Sequence, residues 1–158
     1  MPAIPIYRTA VLPEWIDYNG HVRDAYYALI LSYASDALMD RVGMNAAYRA
    51  ASGNTLYTVE LHIHYLREIH QSDRVTVGVT LLGTDHKRLH AGFDIGCEGK
   101  PGTAATAELM LLHVHQGAAV VATPFEPQIA AAIGTLASAA GDTPWPGPGS
   151  RHMALRGR

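Results

Sequence analysis

The sequence predicts an α+β domain in which one strongly curved antiparallel sheet wraps a long central helix. Three observations lead there. Residues 25–42 follow a helical pattern that is apolar on nearly every side, through Tyr26, Leu29, Ile30, Tyr33, Ala34, Ala37 and Leu38. Several segments between residues 57 and 115 alternate apolar and polar side chains with the period of a strand. Short turns join those segments, as in antiparallel hairpins. A helix this apolar has to be buried on most sides, and a sheet curved around it would do that. The alternation itself requires only one buried face per strand.

Taken in order, residues 6–12 read as a strand ended by Pro13. Residues 17–24 are polar, with a turn centred on Asn19-Gly20. Asp24 then reads as the N-cap of the central helix, and Gly43 as the residue just past its end. Ser32, Asp36 and Asp40 form its one polar strip. Residues 44–53 suit a short helical turn and a loop. Tyr57, Val59, Leu61, Ile63 and Tyr65 form the apolar phase of the next strand. Val75, Val77, Val79 and Leu81 do so in the strand after it, which ends in a turn at 83–86. Leu89, Ala91, Phe93, Ile95 and Cys97 follow, then a turn at 98–102 and a long strand over 103–115. Cys97 sits in the apolar phase, so it reads as core. A second helix starts with a capping box of Thr123 and Glu126, has Pro124 at its first position, and runs to about residue 140. The domain is expected over 1–142, with 143–158 a mobile tail rich in Pro and Gly.

Composition bounds the function. The chain has 158 residues, enough for one domain with its own core. Its formal charge is −2, with no basic excess to neutralise a nucleic-acid backbone, so no nucleic-acid partner is expected. A single cysteine forms no intrachain disulfide, which suits a reducing compartment. No apolar run spans a membrane, and the first residues do not read as a signal peptide. The expectation is a cytoplasmic protein without a membrane partner.

The segment before the central helix is the richest in chemistry. Asp17, Asn19, Gly20, His21 and Asp24 place an acid, a glycine turn and a histidine just ahead of a helix N-terminus. Such a terminus presents unpaired N–H groups and the positive end of the helix dipole. It can hold the oxyanion of a tetrahedral intermediate, while a carboxylate upstream attacks a carbonyl or activates water. Asp17 is the candidate reactive group of such an acyl-transfer site. The same residues also suit a plain turn, with Asp17 and Asn19 bracing it and Asp24 capping the helix.

Asp17-Tyr18-Asn19-Gly20-His21-Val22, followed by Ala25-Tyr26-Tyr27, resembles the D-x-x-G-H signature of hotdog-fold acyl-CoA thioesterases, in their 4-hydroxybenzoyl-CoA thioesterase-like branch. Tyr65-Leu66-Arg67-Glu68 with Ser72-Asp73-Arg74-Val75 resembles the same branch. The resemblance extends over residues 5–122. The longer string from Pro13 through Glu14, Trp15 and Ile16 to His21, with 35–40 and 87–90, resembles a narrower group linked to carnitine breakdown and acting on betainyl-CoA. The resemblance implies a hotdog fold and a homodimer or dimer of dimers. It also implies hydrolysis of a small acyl-CoA, with Asp17 as base or nucleophile and the oxyanion donor near Asp24. CoA is then part of the substrate, and no cofactor is implied. Arg23 stands where the family has Asn, and two roles stay open for it: binding substrate, or the blander pairing with Asp24.

For a quaternary ammonium substrate, Trp15 and Tyr18 are the better cage candidates, and Tyr26 is a further lining candidate. Tyr26, Tyr57 and Tyr65 read foremost as packing residues. Glu60 and His62, with His64, share a strand face that could support a cleft; they lack a further close ligand, so no metal is expected. Lys87 and Arg88 are the candidates for CoA phosphates. Two other readings stay open: a hydratase using Asp17 with His21, and a non-catalytic acyl-CoA-binding module.

Overall fold

The computed structural model describes residues 3–139 and 145–148. The chain begins with strand β1 (Ile4–Ala10), a short 3-10 turn (Pro13–Trp15) and helix α1 (Asp24–Arg41). Helix α2 (Ala46–Ser52) leads to β2 (Asn54–Tyr65), β3 (Arg74–Thr84), β4 (Arg88–Cys97) and β5 (Thr103–Gln116). A short β6 (Val120–Ala122), which the sequence pattern did not predict, precedes helix α3 (Pro127–Ala139). The sheet is antiparallel, in the order β1-β3-β4-β5-β2, with β6 paired to the end of β5.

The inner face of the sheet packs on α1. Leu89, Ala91, Phe93 and Ile95 of β4 lie opposite Leu111, Leu109, Ala107 and Ala105 of β5, and all are buried. Val75, Val77 and Val79 extend this layer through β3. From α1, Ile30, Leu31, Ala34 and Leu38 enter the same core. Helix α3 adds Ile129, Ile133 and Leu136.

Several local expectations change. The N-cap of α1 is Arg23, with no side-chain cap, and Asp24 is the first helical residue. Arg23 takes that place because its backbone N–H bonds the Trp15 carbonyl at 2.9 Å, which fixes the chain in an extended conformation there. The C-terminal end follows expectation: Gly43 has φ +89°, and Met44 N–H returns to the Met39 carbonyl at 2.8 Å.

Burial of α1 is one-sided. Tyr27, Ile30, Leu31, Ala34, Ser35, Leu38 and Met39 are buried, whereas Tyr26, Leu29 and Ala37 are only half-buried. The sheet of one chain covers one side of the helix, so the expected burial on nearly every side is not reached. The polar strip Ser32, Asp36 and Asp40 is exposed.

The single apolar phase expected from Tyr57 to Tyr65 is broken by a bulge between Thr58 and Glu60. One extra residue reverses which face each side chain takes. Leu61, Ile63 and Tyr65 lie opposite Leu109, Ala107 and Ala105 on the inner face, but Tyr57 lies opposite Leu112 on the other. Leu56 packs on the core in its place. Because β2 is an edge strand, Tyr57, Val59, Leu61 and Tyr65 all remain exposed.

The expected capping box is also absent, since α3 starts at Pro127 rather than Pro124. Glu126 is drawn instead into a polar cluster, accepting from Tyr48 Oη at 2.5 Å and Asn54 Nδ2 at 2.6 Å. His113, fully buried, joins this cluster and shares a hydrogen bond with the Thr123 carbonyl at 2.8 Å. Most of the expected tail, 143–158, lies outside the described residues. Within 145–148, Trp145 lies on the outer sheet face at Gly92, where a Cβ would come within 2.6 Å of the indole.

Candidate active site

Asp17 sits in a tight hairpin ahead of α1. Its carboxylate accepts from Asn19 N–H at 2.8 Å, and its carbonyl accepts from Gly20 N–H at 3.0 Å. Gly20 takes φ +82°, which a glycine adopts at no steric cost. The hairpin is closed by Asp17 N–H to the His21 carbonyl at 2.9 Å and by a bridge between Ile16 and Val22. The turn reading and the reactive-group reading therefore describe the same residue. Bracing the turn also fixes where the carboxylate stands.

That hairpin is tied to the loop after β2. Val22 N–H donates to the Ile69 carbonyl at 2.8 Å, and the Ile69 side chain is fully buried. Glu68 and His70 flank this anchor and both reach the cleft. Asp73 holds the loop from beneath, accepting from His70 N–H at 2.9 Å and from Lys100 Nζ at 2.5 Å.

The result is a cleft of about 720 Å³ shared by Asp17, His21, Asp24, Tyr27, Tyr65 and Glu68. The start of α1 forms one wall. Its first N–H groups, at Asp24 and Ala25, have no carbonyl one turn back within the helix. Tyr65 crosses from β2 and donates from its hydroxyl to the Asp24 carbonyl at 3.2 Å. Its ring meets Tyr27 edge-on, with centroids 5.0 Å apart and planes at 84°.

The electrostatics favour an ionised Asp17. Desolvation raises its pKa, but hydrogen bonds with backbone groups of Asn19 and His21, the Asn19 side chain and the Arg23 charge outweigh that effect. The carboxyl is thus held below the ordinary aspartate value. Tyr27 moves the other way: burial, with the nearby Cys97, Tyr65 and Glu68, pushes its phenol up to about 12. It is a neutral hydroxyl at physiological pH.

His21 turns to Glu68, with Nε2 and Oε2 3.5 Å apart, and its ring meets His70 at 5.1 Å. The ligand atoms of His21, Glu68 and His70 all lie within 4.8 Å of one another, as a divalent cation would need. Metal-ligand geometry therefore gathers here and not at Glu60, His62 and His64.

The other sequence candidates are placed elsewhere. Trp15 is only 4% exposed and stacks on Tyr26, with centroids 5.7 Å apart. Tyr18 is 90% exposed at the hairpin tip. None of these three lines the cleft. Glu60 and His62 pair at 2.8 Å on the outer face, opposite Met110 and Glu108 of β5. There they share a small hollow with His90, which itself pairs with Glu108. Arg88 is held by Asp85, with Nη2 to Oδ2 at 2.6 Å, and Lys87 N–H bonds the same carboxylate. The Arg88 guanidinium, with those hydrogen bonds, holds the Asp85 carboxyl well below the usual range.

Sequence reasoning missed His70 and Lys100 as cleft residues, met Glu68 only within a motif, named Tyr27 without assigning it a place, and read Tyr65 foremost as packing. A usable signal was the pair Glu68 and His70 flanking an apolar Ile69 right after a strand. An apolar anchor there has to turn its neighbours outward.

Comparison with known proteins agrees with this geometry. Residues 11–133 match the family model of the thioesterase-like superfamily. A betainyl-CoA thioesterase of Pseudomonas aeruginosa is 46% identical over 149 residues, covering 94% of this chain and 93% of that one. An L-carnitine dehydrogenase/betainyl-CoA thioesterase of Agrobacterium fabrum is 48% identical over 100 residues, which cover 63% of this chain and 20% of that longer protein. Among solved structures, the Staphylococcus aureus protein SAV2348, in complex with CoA, superposes with a TM-score of 0.89 at 26% identity, covering 99% and 98% of the two chains. With its hotdog-type α+β sheet and helix, and a match over most of its length, this chain belongs to the thioesterase-like superfamily.

Proposed function

We propose that the protein hydrolyses betainyl-CoA to glycine betaine and CoA, with Asp17 as the reacting carboxylate. The observation that carries the reading is the placement of an ionised Asp17 in the same cleft as the N-terminus of α1. The substrate is supported by the 46% identity to a betainyl-CoA thioesterase over nearly the whole chain. A CoA ester is further supported by the CoA complex of SAV2348.

The thioester carbonyl lies against the first turn of α1, where N–H groups around Asp24 receive the developing oxyanion. Asp17 attacks the carbonyl carbon, or takes a proton from the water that does. The tetrahedral intermediate collapses with loss of the CoA thiolate, which is protonated on release. If Asp17 attacks, water then cleaves the mixed anhydride. One turnover in 18O-water identifies an anhydride that water opens at the Asp17 carboxyl carbon: 18O then enters Asp17 and the released acid carries none, whereas water attack at the acyl carbon labels the acid alone. The hydratase reading needs an Asp17–His21 side-chain pair, and the His21 ring instead turns to Glu68.

The assembly is a homodimer joined at β2, in the same reading. Its free edge and the exposed Val59 and Leu61 support strand pairing with a second copy. The reading is tested by thiol release from betainyl-CoA, comparing wild type with Asp17→Asn. Release that depends on Asp17 supports it; equal release by the variant removes Asp17 from the reaction.

A further inference from the structure

We infer that Tyr65, braced by Tyr27, and Glu68 form the subsite that holds the quaternary ammonium of the acyl group. The inference rests on the betainyl-CoA reading and deepens it. The sequence favoured Trp15 and Tyr18 for this task. In the fold Trp15 is sealed against Tyr26, and Tyr18 points to solvent away from the cleft.

A trimethylammonium group has no N–H to donate. It can be recognised only by ring faces and by negative charge. The cleft offers both. Tyr65 is 52% exposed, so its ring is accessible, while Tyr27 is 3% exposed and fixed in the core. Their perpendicular contact, with the bond from Tyr65 Oη to the Asp24 carbonyl, holds the Tyr65 ring in one orientation. The ring is thereby fastened to the first residue of α1, where the thioester oxygen would be received. In a betainyl group the cationic nitrogen is two bonds from the carbonyl carbon, so its subsite must lie beside that position.

The charge balance of the cleft points the same way. Asp17, Asp24 and Glu68 line it with three carboxylates. The lysine and arginine that also line it are committed to other partners. Arg67 donates to the Gly102 carbonyl at 2.6 Å and to the Thr103 carbonyl at 3.2 Å. Lys100 is paired with the buried Asp73. Glu68 pairs with His21 at 3.5 Å and has His70 close by, and its side chain is 64% exposed, so its charge is available to a ligand. Discrimination in favour of a cation over a neutral group of the same shape follows from this pattern.

The test compares kcat/KM for betainyl-CoA and for its neutral isostere tert-butylacetyl-CoA, with EDTA present so that no metal occupies His21, Glu68 and His70. The wild type should prefer betainyl-CoA. In Glu68→Gln and in Tyr65→Leu the ratio of the two values should fall about tenfold. Tyr65→Phe, which keeps the ring, should retain most of the preference. A ratio unmoved by Glu68→Gln and Tyr65→Leu, or a wild type that hydrolyses both esters equally well, overturns the subsite and leaves the thioesterase reading standing. Hydrolysis of the isostere alone, or of neither ester, overturns the betainyl-CoA reading and the subsite with it. Near-UV circular dichroism confirms that each variant is folded.

Discussion

Asp17 serves the hairpin through its backbone and side chain, yet its carboxylate still faces the cleft. Asp17→Asn keeps an acceptor for Asn19 N–H and removes the charge. Thiol release should therefore drop by at least about a hundredfold while the thermal midpoint barely moves. The pH profile is set by the same environment. In the proposed mechanism the active form is the carboxylate, and its pKa is lowered, so kcat/KM should stay flat as pH falls through the ordinary aspartate range. The acid limb should appear only below about 3.9, the reference value. An acid limb at pH 5 or above would assign the reaction to another group. The Asp17 hairpin was legible in the sequence because its pattern is local, five residues from acid to histidine. Glu68 and Tyr27 were harder to place in the cleft, because their positions depend on contacts between a loop, a strand and a helix far apart in the chain.

At the scale of elements, the helices and long strands could be read directly, since each has its own periodicity. What escaped were the features that a partner element decides. The bulge at Thr58/Glu60 has no mark in the alternation of β2, and it moved Tyr57 off the core face. Glu126 looked like half of a capping box until Tyr48 and Asn54 competed for its carboxylate. Glu126→Ala should therefore destabilise the fold by about 1–3 kcal/mol, through the lost partners of Tyr48 and Asn54. Desolvation raises the Glu126 pKa, but the bonds from Tyr48 and Asn54 and the charge of His113 lower it further, leaving a net depression. Its stabilisation is thus present above the unfolded glutamate pKa and lost as pH falls through the folded value. Chemical denaturation of the variant at pH 7 measures the cost, and the same comparison below the unfolded glutamate value of about 4.3 should show it shrinking. The β2 edge gives a second prediction. If the proposed β2 homodimer forms, Leu61→Lys should shift it from dimer to monomer in light scattering, because a buried charge would replace an apolar contact. A dimer unaffected by this change would place the interface elsewhere.

Across the whole molecule, a one-sided sheet accounts for both the core and the open face of α1. Phe93 lies at the centre of that sheet and is fully buried, so Phe93→Ala should cost about 3–5 kcal/mol. On the outer face, burial raises the Asp94 pKa above that of the unfolded chain, and its Oδ1 has no hydrogen-bond partner among the described residues. A raised carboxyl pKa means that stability declines as pH rises from the unfolded value through the folded one. Asp94→Asn should accordingly raise the thermal midpoint at pH 7, with a smaller effect in acid. The fold class was legible because one helix and several strands had mutually consistent patterns. The one-sided burial of α1 was not, since the amount of cover depends on how far one sheet can curve. The most direct measurement is CoA thiol release from betainyl-CoA by wild type and Asp17→Asn, assayed side by side. Rapid release by the wild type and near-background release by a folded variant is the predicted result. Equal rates in the two, or no release by the wild type, would contradict the central claim that Asp17 at the head of α1 drives thioester hydrolysis.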